Sequence, residues 1–285
     1  MNKNTNKSLI RLVAGFLFVG LTLWWIILSI INPSSDYPRL VFAASYGSMA
    51  LLGGIYGLIS AEKWGSFKSA IGRAIVFLAC ALLFAELGQL VFSYYNIVKK
   101  VDIPYPGIAD IGFFGNMLFY IIGGFFLTKV LSVKSYVKKA PIKLFISILL
   151  PLILLSTSYY FFLRGYSVAG TSKLQVFLDF SYPLGDAIYV SIALVTLLSV
   201  GKFVGGIMRG PLLLILFALI VQYSADFNFL YQNAHETWTN GGYGDYLYLL
   251  AYSVMTFSLI YLSAAFQKIS LPHSNEKIST SEGAQ

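Results

Sequence analysis

The stretch Leu9–Ile31 reads LIRLVAGFLFVGLTLWWIILSII, and Arg11 is its only charged residue. A helix of about 20 apolar residues spans the hydrocarbon core of a bilayer, because it satisfies its backbone hydrogen bonds internally. The run is too long for the apolar part of a secretory signal peptide, and Asn32-Pro33-Ser34-Ser35 follows in place of a small-residue cleavage site. The stretch is therefore predicted to be a retained transmembrane helix.

Seven further apolar stretches follow the first. Hydrophobic residues make up 57% of the 285-residue chain and charged residues 11%, whereas about a quarter of a soluble domain is charged. We predict an all-α integral membrane protein with eight transmembrane helices. Their predicted bounds are 9–31, 39–60, 71–97, 107–131, 142–163, 174–201, 211–233 and 244–267. Residues 1–8 form an N-terminal tail, 9–267 a single membrane domain, and 268–285 a polar, disordered tail.

Basic residues predict the orientation in the membrane. Fifteen of the 20 Lys and Arg residues flank the helices on the side that carries both termini, and five lie on the other side. Cytoplasmic loops carry the excess of basic residues, so both termini are predicted to be cytoplasmic. The net charge of +8 is therefore mainly a topology signal, and nucleic-acid binding is not predicted, because the basic residues do not form one patch. We expect a multi-pass protein of the cell membrane, in contact with the lipid bilayer.

A short motif recurs at or near the start of each even-numbered helix. An Asp lies near a Pro or Gly in Asp36-Tyr37-Pro38, Tyr105–Asp110, Tyr182–Asp186 and Gly241–Asp245. Such a repeat indicates one duplicated unit, here four helical hairpins in tandem. The alternative is ordinary helix initiation, in which Pro fits the first turn and Asp caps free N–H groups. For Asp110 and Asp245 both interpretations stay open.

Two acidic residues, Glu86 and Asp186, fall deep inside predicted spans. Asp186 lies twelve residues into the sixth helix, about 18 Å along its axis, and Pro183 precedes it and is expected to kink the helix. A charged carboxylate at the bilayer centre costs roughly 2.5–3.5 kcal/mol or more. No Lys or Arg lies deep in any predicted span to offset this. Such acids must be protonated, bind a cation, contact water or accept hydrogen bonds, and they are functional candidates.

Helical spacing gathers polar residues into stripes on four predicted helices. In the sixth helix, for example, Asp179, Tyr182 and Asp186 share one face. The stripes predict one outward-open pocket, lined by acids and tyrosines, for a small-molecule or cation ligand; the alternative is hydrogen bonding between helices. The candidate ligand- or ion-binding residues are Glu86, Gln89, Asp110, Asp179, Tyr182, Asp186, Gln222, Asp226, Asp245 and Tyr248.

The chain contains too few residues of the required types for several kinds of catalytic or metal site. The chain has two histidines, His235 and His273, and one cysteine, Cys80, so a His-rich zinc site and an intrachain disulfide are not expected. No nucleophile–base pair, phosphate-binding loop or dinucleotide motif is present. We do not predict an enzyme and identify no cofactor, although a hard cation held by carboxylates stays open.

Four short motifs resemble a known module. They are Ala85–Tyr95, Pro104–Asp110, Ser181–Asp186 and Ser224–Phe227. They are similar to parts of the multi-helix membrane sensor module at the N-terminus of some bacterial diguanylate cyclases and archaeal histidine kinases. The resemblance implies a signal-sensing role, with Glu86, Asp110, Asp186, Asp226 and Asp245 at the matching positions. Because no output domain follows the eighth helix, a standalone sensor is expected to signal through a separate cytoplasmic or membrane partner.

The sequence thus favours a membrane-embedded sensor or ligand-binding protein. The alternative is a proton- or cation-coupled transporter of small solutes that uses intramembrane carboxylates. A membrane enzyme with carboxylates as metal ligands or acid–base groups is a third hypothesis.

Overall fold

The structure, a computed structural model, describes residues 3–131, 141–200 and 207–270. All regular elements in these ranges are helical. The α-helices are α1 (Lys3–Ile31), α2 (Tyr37–Ser45), α3 (Ser48–Lys63), α4 (Ala70–Ser93), α5 (Ile108–Val130), α6 (Pro141–Ser158), α7 (Lys173–Val200), α8 (Arg209–Ala234) and α9 (Tyr243–Ser270). A 3₁₀ turn at Ser66–Lys68 precedes α4, and π-helical turns at Tyr94–Lys99 and Tyr159–Leu163 extend α4 and α6.

Eight helical segments are long and apolar enough to cross a membrane, which confirms the predicted spans. The chain is a multi-pass membrane protein in which α2 and α3 together make the second span. Each end of a span lies within three residues of its predicted position. Helix α1 begins at Lys3, inside the predicted N-terminal tail, and α9 extends to Ser270. Residues 271–285 of the predicted C-terminal tail lie outside the described residues.

The second span is broken, which the sequence pattern did not predict. Helix α2 ends at Ser45 and α3 begins at Ser48, with Tyr46 and Gly47 between them. The hydroxyls of Ser45 and Ser48 each donate to a nearby backbone carbonyl, at 2.6 Å. A Cβ at residue 47 would collide with the carboxylate of Glu86, so any larger residue here would require the Glu86 side chain to move.

Six spans close into a ring, and two lie outside it. The packing order around the ring is α3, α4, α5, α7, α8, α9 and back to α3, while α1 packs on α9 and α6 on α7. Within their most apolar segments, 6% of the α6 span and 17% of the α1 span are buried, against 39–67% for the other six. Helices α1 and α6 therefore expose most of their side chains on the outside of the ring.

Helices α4 and α8 pack into the apolar core at one end and line a cavity at the other. Their N-terminal halves carry the fully buried Leu78, Leu82, Leu216 and Leu219, which belong to one apolar core. Their C-terminal halves carry Gln89 and Gln222, which line a cavity. The ring is thus packed solid toward one end and hollow toward the other, where the α4–α5, α6–α7 and α8–α9 connections lie.

Candidate ligand-binding cavity

A cavity of about 570 Å³ lies inside the ring. Helices α4, α5, α7, α8 and α9 contribute to its wall, together with Tyr46 at the break in the second span. Tyr105, Tyr166 and Trp238 from the three connections line its end. Nine of the ten candidate residues from the sequence line this one cavity, and Glu86 does not. The wall includes five aspartates but no Lys, Arg or His from the described residues.

Asp110 joins α5 to α7. One of its carboxylate oxygens accepts the backbone N–H of Gly107 at 2.7 Å, and the other accepts the hydroxyl of Tyr182 at 2.8 Å. The first bond caps the start of α5 and the second crosses to the neighbouring helix. Helix capping and cavity lining, the two interpretations left open by the sequence, therefore both apply to Asp110.

Asp179 lies nearest the connections and accepts two tyrosine hydroxyls. Tyr105 donates to one carboxylate oxygen at 2.6 Å and Tyr166 to the other at 2.5 Å. Burial, followed by the bond to Asp179, raises the pKa of Tyr105, and the bond to Asp179 raises the pKa of Tyr166. Both hydroxyls therefore stay protonated at neutral pH and tie two connections to α7.

Asp226 of α8 is the centre of a second network. It accepts the hydroxyl of Tyr189 at 2.5 Å and the side-chain amide of Gln222 at 3.0 Å, and Tyr248 also interacts with it. The carbonyl oxygen of Gln222 is buried and has no hydrogen-bond partner. Helices α7, α8 and α9 therefore meet at one carboxylate.

Asp245 lies at the start of α9 and is buried. Its carboxylate accepts the backbone N–H of Gly241 at 2.5 Å and interacts with Tyr46. Tyr46 also donates to Gln89 at 3.2 Å, and the Gln89 amide donates to the carbonyl of Ala43 at 2.6 Å. Asp245 thus caps the start of α9. It is also the first member of a chain of polar contacts that runs through the broken span to α4.

Asp186 differs from the other four aspartates of the wall. It is 5% exposed and lines the cavity, yet no described group donates a hydrogen bond to it. Its electrostatic neighbour is Asp226, which repels it when both are charged. The helix continues through Pro183, one turn before Asp186, and Pro183 also lines the cavity. Asp186 therefore brings a carboxylate to the wall without a protein partner.

Glu86 lies apart from this cavity, although the spacing in the third predicted helix placed it on the same stripe as Gln89. It is buried against Gly47, and its Oε2 atom has no hydrogen-bond partner. Glu86 and Gln89 both lie against the break in the second span, and Gln89, one turn further along α4, also lines the cavity.

Six polar residues of the wall were not among the candidates: Tyr46, Tyr105, Asn116, Tyr166, Asn233 and Tyr252. Tyr46 falls within a predicted helix, but the run Ser45-Tyr46-Gly47-Ser48 interrupts the apolar pattern and could have indicated the break. Asn116 is buried in α5 and donates to the carbonyl of Ala81 on α4 at 2.8 Å. A single polar residue in an apolar span is itself a signal of an interface between helices.

The arrangement of acids bears on the hard cation that the sequence left open. Within the described residues, no three His, Cys, Asp or Glu side chains come together as a metal-binding group. Calcium takes six to eight oxygen ligands around one point, whereas these aspartates are spread along the wall. The described part of the cavity therefore brings no three carboxylates together around one point.

Comparisons with known proteins add no identification. No protein-family model matches the chain, and neither a curated protein nor a solved structure is significantly similar to it.

Proposed function

We propose that this protein is a membrane-embedded sensor or ligand-binding protein. The observation that carries the proposal is the cavity inside the six-helix ring, with its wall of aspartates and tyrosines. Its volume of about 570 Å³ falls in the range of about 300–1,000 Å³ that is typical of small-molecule sites. Convergent polar groups on an otherwise apolar wall are the usual means by which such sites orient a ligand.

A stability screen tests this proposal. Purified protein in detergent is heated with amines, neutral amphiphiles and organic acids, and at least one compound is expected to raise the unfolding temperature saturably. Asn233→Trp, which places an indole in the wall, is expected to abolish that shift. The same replacement at His235, an exposed residue outside the wall, is the matched control. No saturable shift with any compound would contradict the proposal.

The proposed orientation places the cavity toward the outside and both termini in the cytoplasm, with the spans arranged as four tandem hairpins. The basic residues support this orientation. Because Cys80 is the only cysteine, Cys80→Ala gives a background for labelling. Ser167→Cys is expected to react with a membrane-impermeant maleimide in intact cells, and Glu62→Cys only after permeabilisation. The reverse pattern would overturn the orientation.

A sensor of this kind needs an output. We propose that a separate protein docks on the cytoplasmic end. The excess of basic residues at that end supports the location, and the resemblance to a sensor module supports the need for a partner. Crosslinking in native membranes, followed by mass spectrometry, is expected to recover one partner whose yield changes with ligand. Recovery that is independent of any ligand would contradict signalling.

Transport is the second candidate, and Pro183 favours it. Pro183 lacks a backbone N–H, so α7 loses one helical hydrogen bond in the cavity wall beside Asp186. Alternating access would also require the packed end of the ring to open. Sealed liposomes under a pH gradient test it, since a proton-coupled transporter must show flux that Asp186→Asn removes. Absence of flux would contradict proton coupling.

A further inference from the structure

We propose that the cavity takes a linear organic polycation, an alkyl chain that carries two or more ammonium groups, with one ammonium bound at Asp186. This inference rests on the proposed ligand-binding function and names the class of ligand. It assigns the principal ammonium site to Asp186, the wall aspartate to which no described group donates a hydrogen bond.

The first argument is charge. The wall carries Asp110, Asp179, Asp186, Asp226 and Asp245 and no basic side chain from the described residues. Carboxylates placed in a low-dielectric protein interior require counter-charge or several hydrogen bonds. An anionic or uncharged ligand would add no counter-charge to these carboxylates, whereas a cation would.

The second argument is the contrast in partners. The carboxylates of the other four wall aspartates each accept a hydrogen bond from a tyrosine hydroxyl or a backbone N–H group. Asp186 has no such donor although it is 5% exposed. A buried acceptor that faces a cavity without a donor is satisfied by a donor on the ligand, and an ammonium supplies both N–H groups and positive charge.

The third argument is spacing. Asp179 and Asp186 lie on one face of α7, seven residues apart, which corresponds to about 10 Å along the axis. One compact cation cannot contact both carboxylates. A chain with ammonium groups at both ends can do so, and its methylene groups then lie along the apolar part of the wall.

The fourth argument is the aromatic wall. The rings of Tyr46, Tyr248 and Tyr252 lie with their centroids 6.0–6.4 Å apart, and all three line the cavity. Aromatic faces attract ammonium groups and also pack against methylene chains. A site for a hydrated metal ion would not require this cluster of three tyrosine rings.

Titration calorimetry in detergent tests the proposal with spermidine as the probe and n-butylamine as the single-charge comparison. Spermidine is expected to bind at least about tenfold more tightly than n-butylamine. Asp186→Asn is expected to weaken spermidine about tenfold or more, and Asp179→Asn to weaken spermidine while it leaves n-butylamine unchanged. Asp102→Asn, an exposed acid outside the cavity, is the matched control and should bind like the parent.

Other outcomes are also decisive. Equal spermidine affinity in the parent and in both cavity variants, or equal affinity for spermidine and n-butylamine, would overturn the proposal. Circular dichroism of each variant confirms its fold, and Asp179→Asn keeps the test open if Asp186→Asn does not fold. If a neutral or acidic compound binds and Asn233→Trp blocks it while spermidine does not bind, the polycation is wrong and the ligand-binding function stands. If no compound of any class binds, the ligand-binding function fails as well.

Discussion

At the scale of single residues, the repeated motif puts an aspartate at the start of both α2 and α5, but the two aspartates do different things. The side chain of Asp36, at the N-cap of α2, forms no capping hydrogen bond and is exposed. Asp110 accepts from the backbone of Gly107 and from Tyr182. Similar local sequence therefore gives a structural anchor at the start of one helix and a solvent-facing residue at the start of another.

A pair of matched substitutions tests this difference. Asp110→Ala removes both bonds and is expected to lower the free energy of unfolding by about 0.5–2 kcal/mol, the range of a lost helix cap. Asp36→Ala is expected to change it by less than about 0.5 kcal/mol, since no capping bond is lost. Thermal unfolding in detergent compares the two variants with the parent. An equal loss of unfolding free energy in both variants would show that the two Asp110 hydrogen bonds do not contribute to stability.

Helical spacing was a good guide to the site because it depends on local geometry alone. It placed Asp179, Tyr182 and Asp186 on one face, and the structure brings all three to the cavity wall. It failed for Glu86, whose direction depends on the break beside Gly47 in another span. The contact between the Glu86 carboxylate and Gly47 joins two spans, so spacing within one helix could not predict it. Whether the wall residues bind a ligand stays a prediction.

At the scale of the helices, the contact between α4 and α5 is close enough to involve backbone atoms. A Cβ at Gly112 would lie 2.6 Å from the Cα of Gly88 and 2.7 Å from the carbonyl oxygen of Phe84. Neither position belongs to a flexible side chain that could move aside. Small residues at such crossings allow helices in membranes to pack through van der Waals contact and weak hydrogen bonds.

Gly112→Ala is therefore expected to push α4 and α5 apart and to lower the free energy of unfolding by about 1–3 kcal/mol. Gly20→Ala in α1 is the control, because a Cβ there meets nothing within 4 Å. Alanine also favours a helix over glycine, so the control is expected to be neutral or slightly stabilising. Unfolding temperatures of the two variants provide the measurement. A neutral Gly112→Ala would show that the crossing has room to relax.

At the scale of the whole molecule, hydropathy predicted the eight spans but did not rank them by burial. The outer spans, α1 and α6, have mean hydropathies of 2.3 and 1.9, inside the range of 1.4–2.3 for the ring helices. Lipid and protein interior are both apolar, so composition alone does not separate the two environments. Which spans belong to the ring depends instead on the contacts between polar and small residues of neighbouring helices. Those contacts involve all six helices together.

Core and lipid-facing leucines should accordingly respond differently to truncation. Leu219 in α8 is fully buried, and Leu219→Ala is expected to lower the free energy of unfolding by about 2–5 kcal/mol through the cavity that it leaves. Leu152 in α6 is 55% exposed, and Leu152→Ala is expected to cost less than about 1 kcal/mol. Thermal unfolding in lipid nanodiscs, where bilayer contacts persist, compares them. A larger loss at Leu152 would place α6 inside an assembly.

The single-sign wall of the cavity also affects the rate at which solutes arrive. Low-dielectric helices surround five carboxylates, and such walls focus the electric field lines toward the solution. When these carboxylates are ionised, we expect small cations to concentrate at the cavity and anions to be repelled before any specific contact forms. Mobile ions weaken this attraction, because the Debye length falls from about 30 Å at 0.01 M salt to about 8 Å at 0.15 M. If the cavity takes a cation as proposed, the rate of entry is therefore expected to fall as ionic strength rises.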